Sequence, residues 1–74
     1  MKTRIRDLRE DSDLKQKDLA KALGLPTNTY RNYELGIRTM PLEVLAEIAK
    51  YYKTSTDYVL GLTDVRTAYP RFDR

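Results

Sequence analysis

An all-α domain of five short helices is what this chain predicts, on three observations. Apolar residues recur at helical spacing in separate short runs, glycine or proline falls at the junctions between them, and no stretch reads as a strand. With 74 residues there is material for a single small core. Cysteine and histidine are both absent. That removes the disulfide staple, the usual ligands of structural zinc and the His-centred sites of hydrolases, so no catalytic residue, metal or cofactor is predicted and an enzyme is not expected. A core this small has to be compact or to gain a partner.

The first helix is predicted over residues 2–11, where Ile5 and Leu8 share a face among Arg4, Arg6 and Arg9, and Asp11-Ser12-Asp13 ends it. Leu14 opens a second segment with Leu19, Ala20 and Leu23 at helical spacing, closed by Gly24 as a left-handed cap. Lys15 stands where a Ser or Thr cap would be expected, and Asp18 suits the positive end of the helix dipole. Leu25-Pro26-Thr27 connects to a third helix over residues 28–35, with Pro26 tolerated in the first turn, Thr27 as a hydroxyl cap and Gly36 as the stop. Its composition, Asn28-Thr29-Tyr30-Arg31-Asn32-Tyr33-Glu34, is not one that helix propensity would choose.

Pro41 opens a fourth helix carrying the strongest amphipathic stripe, Leu42, Leu45, Ile48, Ala49 and Tyr52. Ser55 caps a last helix ending at Gly61, with Asp57 in its first turn and Val59 and Leu60 turned inward. The domain is therefore predicted over residues 1–62, followed by an irregular tail, 63–74, that contains Pro70.

Charge is unevenly placed. The chain carries +3 overall, with nine basic and six acidic side chains in residues 1–40 and five of each in 41–74. The surplus is either ordinary scatter on a solvated surface or the footprint of a polyanion-binding face. No apolar run approaches the roughly 20 residues that span a bilayer, and the start MKTRIRDLRED has no apolar stretch, so a cytoplasmic protein without membrane contact is expected.

Two short helices joined by a tight turn containing Gly24, the second of them polar, are the parts of a helix-turn-helix. A major groove about 12 Å wide admits one helix, and its base edges are read by side chains that donate and accept together. Asn28 and Asn32 are four residues apart and share a face, flanked by Thr29 and Arg31. Such residues also occur on merely solvated helices, so the rest of the chain has to weigh in.

It does so through Leu14-Lys15-Gln16-Lys17-Asp18-Leu19-Ala20, Leu23-Gly24-Leu25, Tyr33-Glu34-Leu35-Gly36, Pro41-Leu42 and Asp57-Tyr58-Val59-Leu60-Gly61. In order and spacing these resemble the Cro and phage-repressor (XRE) type of helix-turn-helix domain over residues 3–62. The resemblance implies a lambda-repressor-like fold and a sequence-specific regulator of transcription that binds double-stranded DNA, most simply a repressor on a palindromic operator. It places Gln16 against the DNA backbone or in support of a base contact, with Lys15 and Lys17 adding charge beside it. Thr27, Asn28 and Asn32 would meet base edges with Thr29 alongside, and Arg31 a phosphate or a base. The turn from Gly36 to Thr39 would bring backbone N–H groups, Arg38 and Thr39 to the sugar-phosphate strand.

Leu19, Ala20 and Leu23 become packing positions in this scheme. Glu34 would turn inward to pair with Arg9, because a carboxylate left exposed at the end of a reading helix would repel phosphate. Tyr30 stands where the family has an aliphatic residue; either its ring fills the core with the hydroxyl reaching solvent or phosphate, or the third helix is rotated slightly. The resemblance also implies a homodimer. The region from the fourth helix onward holds Tyr51, Tyr52, Tyr58, Tyr69 and Phe72. Tyr52, Val59 and Leu62 are expected to complete the core, leaving Tyr58, Tyr69 and Phe72 as interface candidates. Two alternatives stand beside the repressor: an antitoxin that neutralises a toxin and represses its own operon, and an adaptor that binds a protein groove instead of DNA.

Overall fold

None of the predicted helices is long enough to stand alone, since isolated helices below about 12–15 residues are marginal in water. Their stability has to come from each other. The computed structural model describes residues 3–67. In these, α1 (Ile5–Asp11), α2 (Gln16–Ala22), α3 (Thr27–Glu34), α4 (Leu42–Tyr51) and α5 (Thr56–Val59) follow one another, and no strand occurs among the described residues.

Each helix sends one side chain to a common centre. Ile5, Leu19, Tyr30, Ile48 and Val59 are at most 1% exposed. Leu8, Ala20, Tyr33, Leu45, Ala49 and Tyr52 complete that core, and Leu14, Leu23, Leu25 and Met40 pack against it from the connections. Full burial of an aliphatic side chain stabilises by about 1.5–3 kcal/mol, so these contacts outweigh the weak propensity of α3.

The helix ends follow local chemistry. Gly24 (φ +71°) and Gly36 (φ +73°) adopt the left-handed backbone just after α2 and α3. Ser55 caps α5, its Oγ accepting the Tyr58 N–H at 3.0 Å. At α2 the Lys15 side chain has no acceptor to offer, but the Asp18 carboxylate reaches back to accept the Lys15 N–H at 3.2 Å. Pro26, not Thr27, is the residue before α3, so Thr27 lies inside the helix and its hydroxyl does not cap it.

Other expectations need correction. The first helix begins at Ile5, and α5 ends at Val59 instead of reaching Gly61. Leu42 is 74% exposed because α4 starts there, and Met40, just before Pro41, packs on the core instead. Leu62 is 67% exposed. Its N–H returns to the Asp57 carbonyl at 2.8 Å, which turns the chain away after a single helical turn.

Residues 62–67 have no helix, yet they are tied to the domain. Arg4 Nη2 donates to the Thr63 carbonyl at 3.0 Å and to Asp64 Oδ1 at 2.7 Å, while Nε donates to the Tyr58 carbonyl at 2.8 Å. Thr54 Oγ1 donates to the Arg66 carbonyl. Among the described residues, no helix is long and apolar enough to cross a membrane.

Candidate nucleic-acid interface

The sequence of α3 solves two problems on opposite sides. Tyr30 and Tyr33, three residues apart, are buried, and Glu34 turns inward beside them. On the other side Thr27, Asn28 and Arg31 are exposed, with Thr29 and Asn32 half-buried at the margin. The turn from α2 is held tight by the Leu25 N–H, which reaches the Ala20 carbonyl at 2.8 Å. The α2–turn–α3 unit thus packs as one piece and leaves a polar helix face free.

A buried polar network fixes that piece to α1. Arg9 Nε and Nη2 donate to Glu34 Oε2 at 2.5 Å and Oε1 at 3.2 Å, with the two side chains 13% and 3% exposed. Arg9 Nη1 donates to the Leu14 carbonyl at 2.8 Å, and Gln16 Nε2 donates to Glu34 Oε1 at 3.1 Å. Three helices meet at one carboxylate, and the link before α2 is tied to it through Arg9. Burial pushes the Glu34 carboxyl upward, but its hydrogen bonds, those from Arg9 above all, with Gln16 and the nearby Tyr30 hydroxyl adding to them, outweigh this and hold it below the usual carboxylate value. The hydrogen bond to Glu34 raises the Arg9 guanidinium further above its already high value.

Tyr30 answers the question left open at its position. Its ring fills the core at 0% exposure, and its hydroxyl reaches neither solvent nor a phosphate. The hydroxyl is buried beside Glu34 without a hydrogen bond of ordinary geometry, and burial followed by the neighbouring carboxylate raises the phenol well above its usual value.

The other sequence-derived positions are distributed as follows. Lys15 and Lys17 are exposed at the positive end of α2, with Gln16 between them half-buried against Glu34. Arg31 Nη2 donates to Asn28 Oδ1, so these two exposed residues form a pair on the outer face of α3. The Asn28 oxygen keeps a second lone pair and the amide its N–H donors, so this contact leaves the side chain able both to accept and to donate.

Arg38 and Thr39 are exposed on the loop after α3. The backbone of this loop departs from expectation. The Gly36 N–H donates to the Tyr33 carbonyl at 3.2 Å, and the Ile37 and Arg38 N–H groups both donate to the Asn32 carbonyl, at 3.0 and 3.3 Å. The N–H groups of Gly36, Ile37 and Arg38 thus close the end of α3 and are not available to a phosphate.

Tyr58 is half-buried under the Arg4 guanidinium, 4.5 Å from its ring centre, with Arg66 at 6.0 Å. Tyr69 and Phe72 lie outside the described residues. Arg4 was not singled out by sequence, and no local signal could have found it, because its partners are 54 to 60 residues away.

A helix-turn-helix family model matches residues 5–59. Among curated proteins the chain is similar to the uncharacterized HTH-type transcriptional regulator YobD of Bacillus subtilis, 39% identical over 61 residues, 82% of this chain and 54% of that protein. It is similar to the cryptic phage CTXphi transcriptional repressor RstR of Vibrio cholerae, 42% identical over 50 residues, 68% of this chain and 45% of the other. The HTH-type transcriptional regulator ImmR of Bacillus subtilis is 32% identical over 62 residues, 84% of this chain and 49% of its own. This chain therefore spans about half the length of the curated relatives it matches. No solved structure gives a match. A family match over most of the chain, spanning all five helices and including the α2–turn–α3 unit that the geometry isolates, makes this protein a member of the helix-turn-helix family of the Cro and phage-repressor type.

Proposed function

We propose that this chain binds double-stranded DNA sequence-specifically and regulates transcription, most simply as a repressor occupying a palindromic operator as a homodimer. The observation that carries the reading is the two-sided α3. Its inner face is locked by Tyr30, Tyr33 and the Arg9–Glu34 pair, and its outer face offers Thr27, Asn28, Arg31 and Asn32 on a helix short enough to lie in one major groove. The positive surplus of residues 1–40 falls in the part of the chain that forms this unit and the loop after it. That one relative is named as a phage transcriptional repressor supports the direction of regulation. Dimerisation is assigned to α5 and the segment that follows it, the region of Tyr58, Tyr69 and Phe72, which pairs two reading helices on half-sites about 34 Å apart.

Enrichment of bound duplexes from random DNA at two salt concentrations tests the reading. A shared motif should emerge, and affinity should fall steeply with salt as counterions are released. Asn32→Ala should cost about 1–3 kcal/mol of discrimination at particular base pairs, whereas Arg38→Ala should weaken binding to all sequences alike. No enrichment at either salt concentration would reject DNA recognition, and the reverse pattern for the two variants would reject the contact assignment.

A further inference from the structure

We propose that Glu34, which cannot touch DNA from its buried position, is a positioning residue that fixes the Gln16 side-chain amide for reading adenine in the major groove. The proposal rests on the DNA-binding reading above. Its first support is chemical: a carboxylate only accepts hydrogen bonds, so the group 3.1 Å from Glu34 Oε1 has to be the amide nitrogen of Gln16 and not its oxygen. The orientation of that amide is therefore set by Glu34. One N–H is spent inward, leaving the carbonyl oxygen and a second N–H.

The second support is rigidity. Glu34 is itself held by two donors of Arg9, and the third nitrogen of that guanidinium holds the Leu14 carbonyl, two residues before Gln16. Backbone and side chain at the start of α2 are thus fixed by one buried ion pair. Gln16 is half-buried between exposed Lys15 and Lys17 at the α2 terminus. Lysines are suited to phosphates, which take donors only, whereas an oxygen beside an N–H matches the donor and acceptor that adenine shows in the major groove. Fixing the amide in advance removes the cost of ordering a long side chain on binding.

The test uses the full chain and the best duplex enriched from random DNA by the wild type, with each base pair of that duplex then changed in turn. Gln16→Ala should lose roughly tenfold discrimination for A·T at one position in each half-site. Glu34→Gln, shown folded at the assay temperature by circular dichroism, should lose the same discrimination at the same position. The double variant should be no worse than either single one, because both act through one contact. Independent losses that multiply, or a folded Glu34→Gln that keeps its A·T preference, would overturn the proposal.

A measurement on the wild type needs no variant to fold. One side-chain amide proton of Gln16 should exchange more slowly than in free glutamine at neutral pH, and that protection, compared at equal pH, should fall as acid protonates Glu34. Exchange of both protons at the rate of free glutamine would overturn the positioning role. If the wild type enriches no duplex, the functional reading falls and this inference with it; if it enriches one to which Gln16→Ala is indifferent, only this inference falls.

Discussion

Glu34→Ala isolates the buried ion pair as a source of stability. Truncation strands the Arg9 guanidinium, whose side chain is 13% exposed, and leaves Gln16 Nε2 without its acceptor. Breaking a buried pair from one side costs about 3–5 kcal/mol. Arg9 keeps its bond to the Leu14 carbonyl and a small opening to water, which places the cost near the lower end, about 3 kcal/mol. A domain of this length has about 4–11 kcal/mol of total stability, so the loss is a large fraction of it. For a domain of this size each kcal/mol moves the melting midpoint by about 4–8 °C, so a drop of about 12–24 °C is expected in thermal unfolding followed by far-ultraviolet circular dichroism.

The double variant Arg9→Met/Glu34→Leu should recover most of the loss, since an apolar pair of similar volume strands no charge. A melting midpoint for Glu34→Ala within about 4 °C of wild type would refute the assignment of roughly 3 kcal/mol to the pair. So would a double variant as unstable as the two losses summed.

Further outcomes follow from individual features. Glu34 binds its proton less readily folded than unfolded, so its stabilisation is complete above its ordinary value of about 4.5 and is lost as pH falls through the lower folded value. The gap in melting midpoint between wild type and Glu34→Gln should therefore close below pH 4.5, and a gap independent of pH would contradict the depressed carboxyl. Burial, followed by the charge of neighbouring Tyr51, pushes the Tyr52 phenol up to about 12, so its share of stability is present below about 10 and lost as pH rises toward 12.

Because the Tyr52 hydroxyl is buried without a partner, Tyr52→Phe should leave the midpoint unchanged or raise it and flatten that alkaline loss; a clear drop would reveal a bond to the hydroxyl. Gly24→Ala meets open space at its Cβ, so its cost should be that of the left-handed backbone alone, about 1–2 kcal/mol by urea unfolding, and a neutral result would argue against φ +71°.

The existence of five helices was legible because apolar spacing and the glycines after α2 and α3 act locally, and Ser55 capped as its chemistry requires. Errors gathered where the answer is tertiary. Leu42 fits helical spacing and Leu62, just past the last helix, looks apolar enough for the core, but neither shows that Met40 already covers the core or that α5 stops after one turn. Thr27 looked like a cap, yet Pro26 has the extended backbone (ψ 145°) that a position before a helix needs, and Thr27 does not. The loop amides of residues 36–38 looked free in a sequence, where nothing shows that carbonyls at the end of α3 need donors. The clasp of Arg4 on residues 58, 63 and 64 has no local signature at all.

The Arg9–Glu34 pair came from a resemblance, and the structure shows why a chain this small would hold it. Five short helices bury few side chains, and an apolar pair in the same place could match or exceed its stability. Apolar contacts, however, do not fix the direction of a neighbouring amide. Glu34 accepts from α1 and α2 while standing at the last position of α3, so rotating any one of these helices breaks a directional bond instead of sliding a contact. On the proposed reading the outer face of α3 meets base edges in one register, and a directional lock on its inner face is the property that such reading would demand.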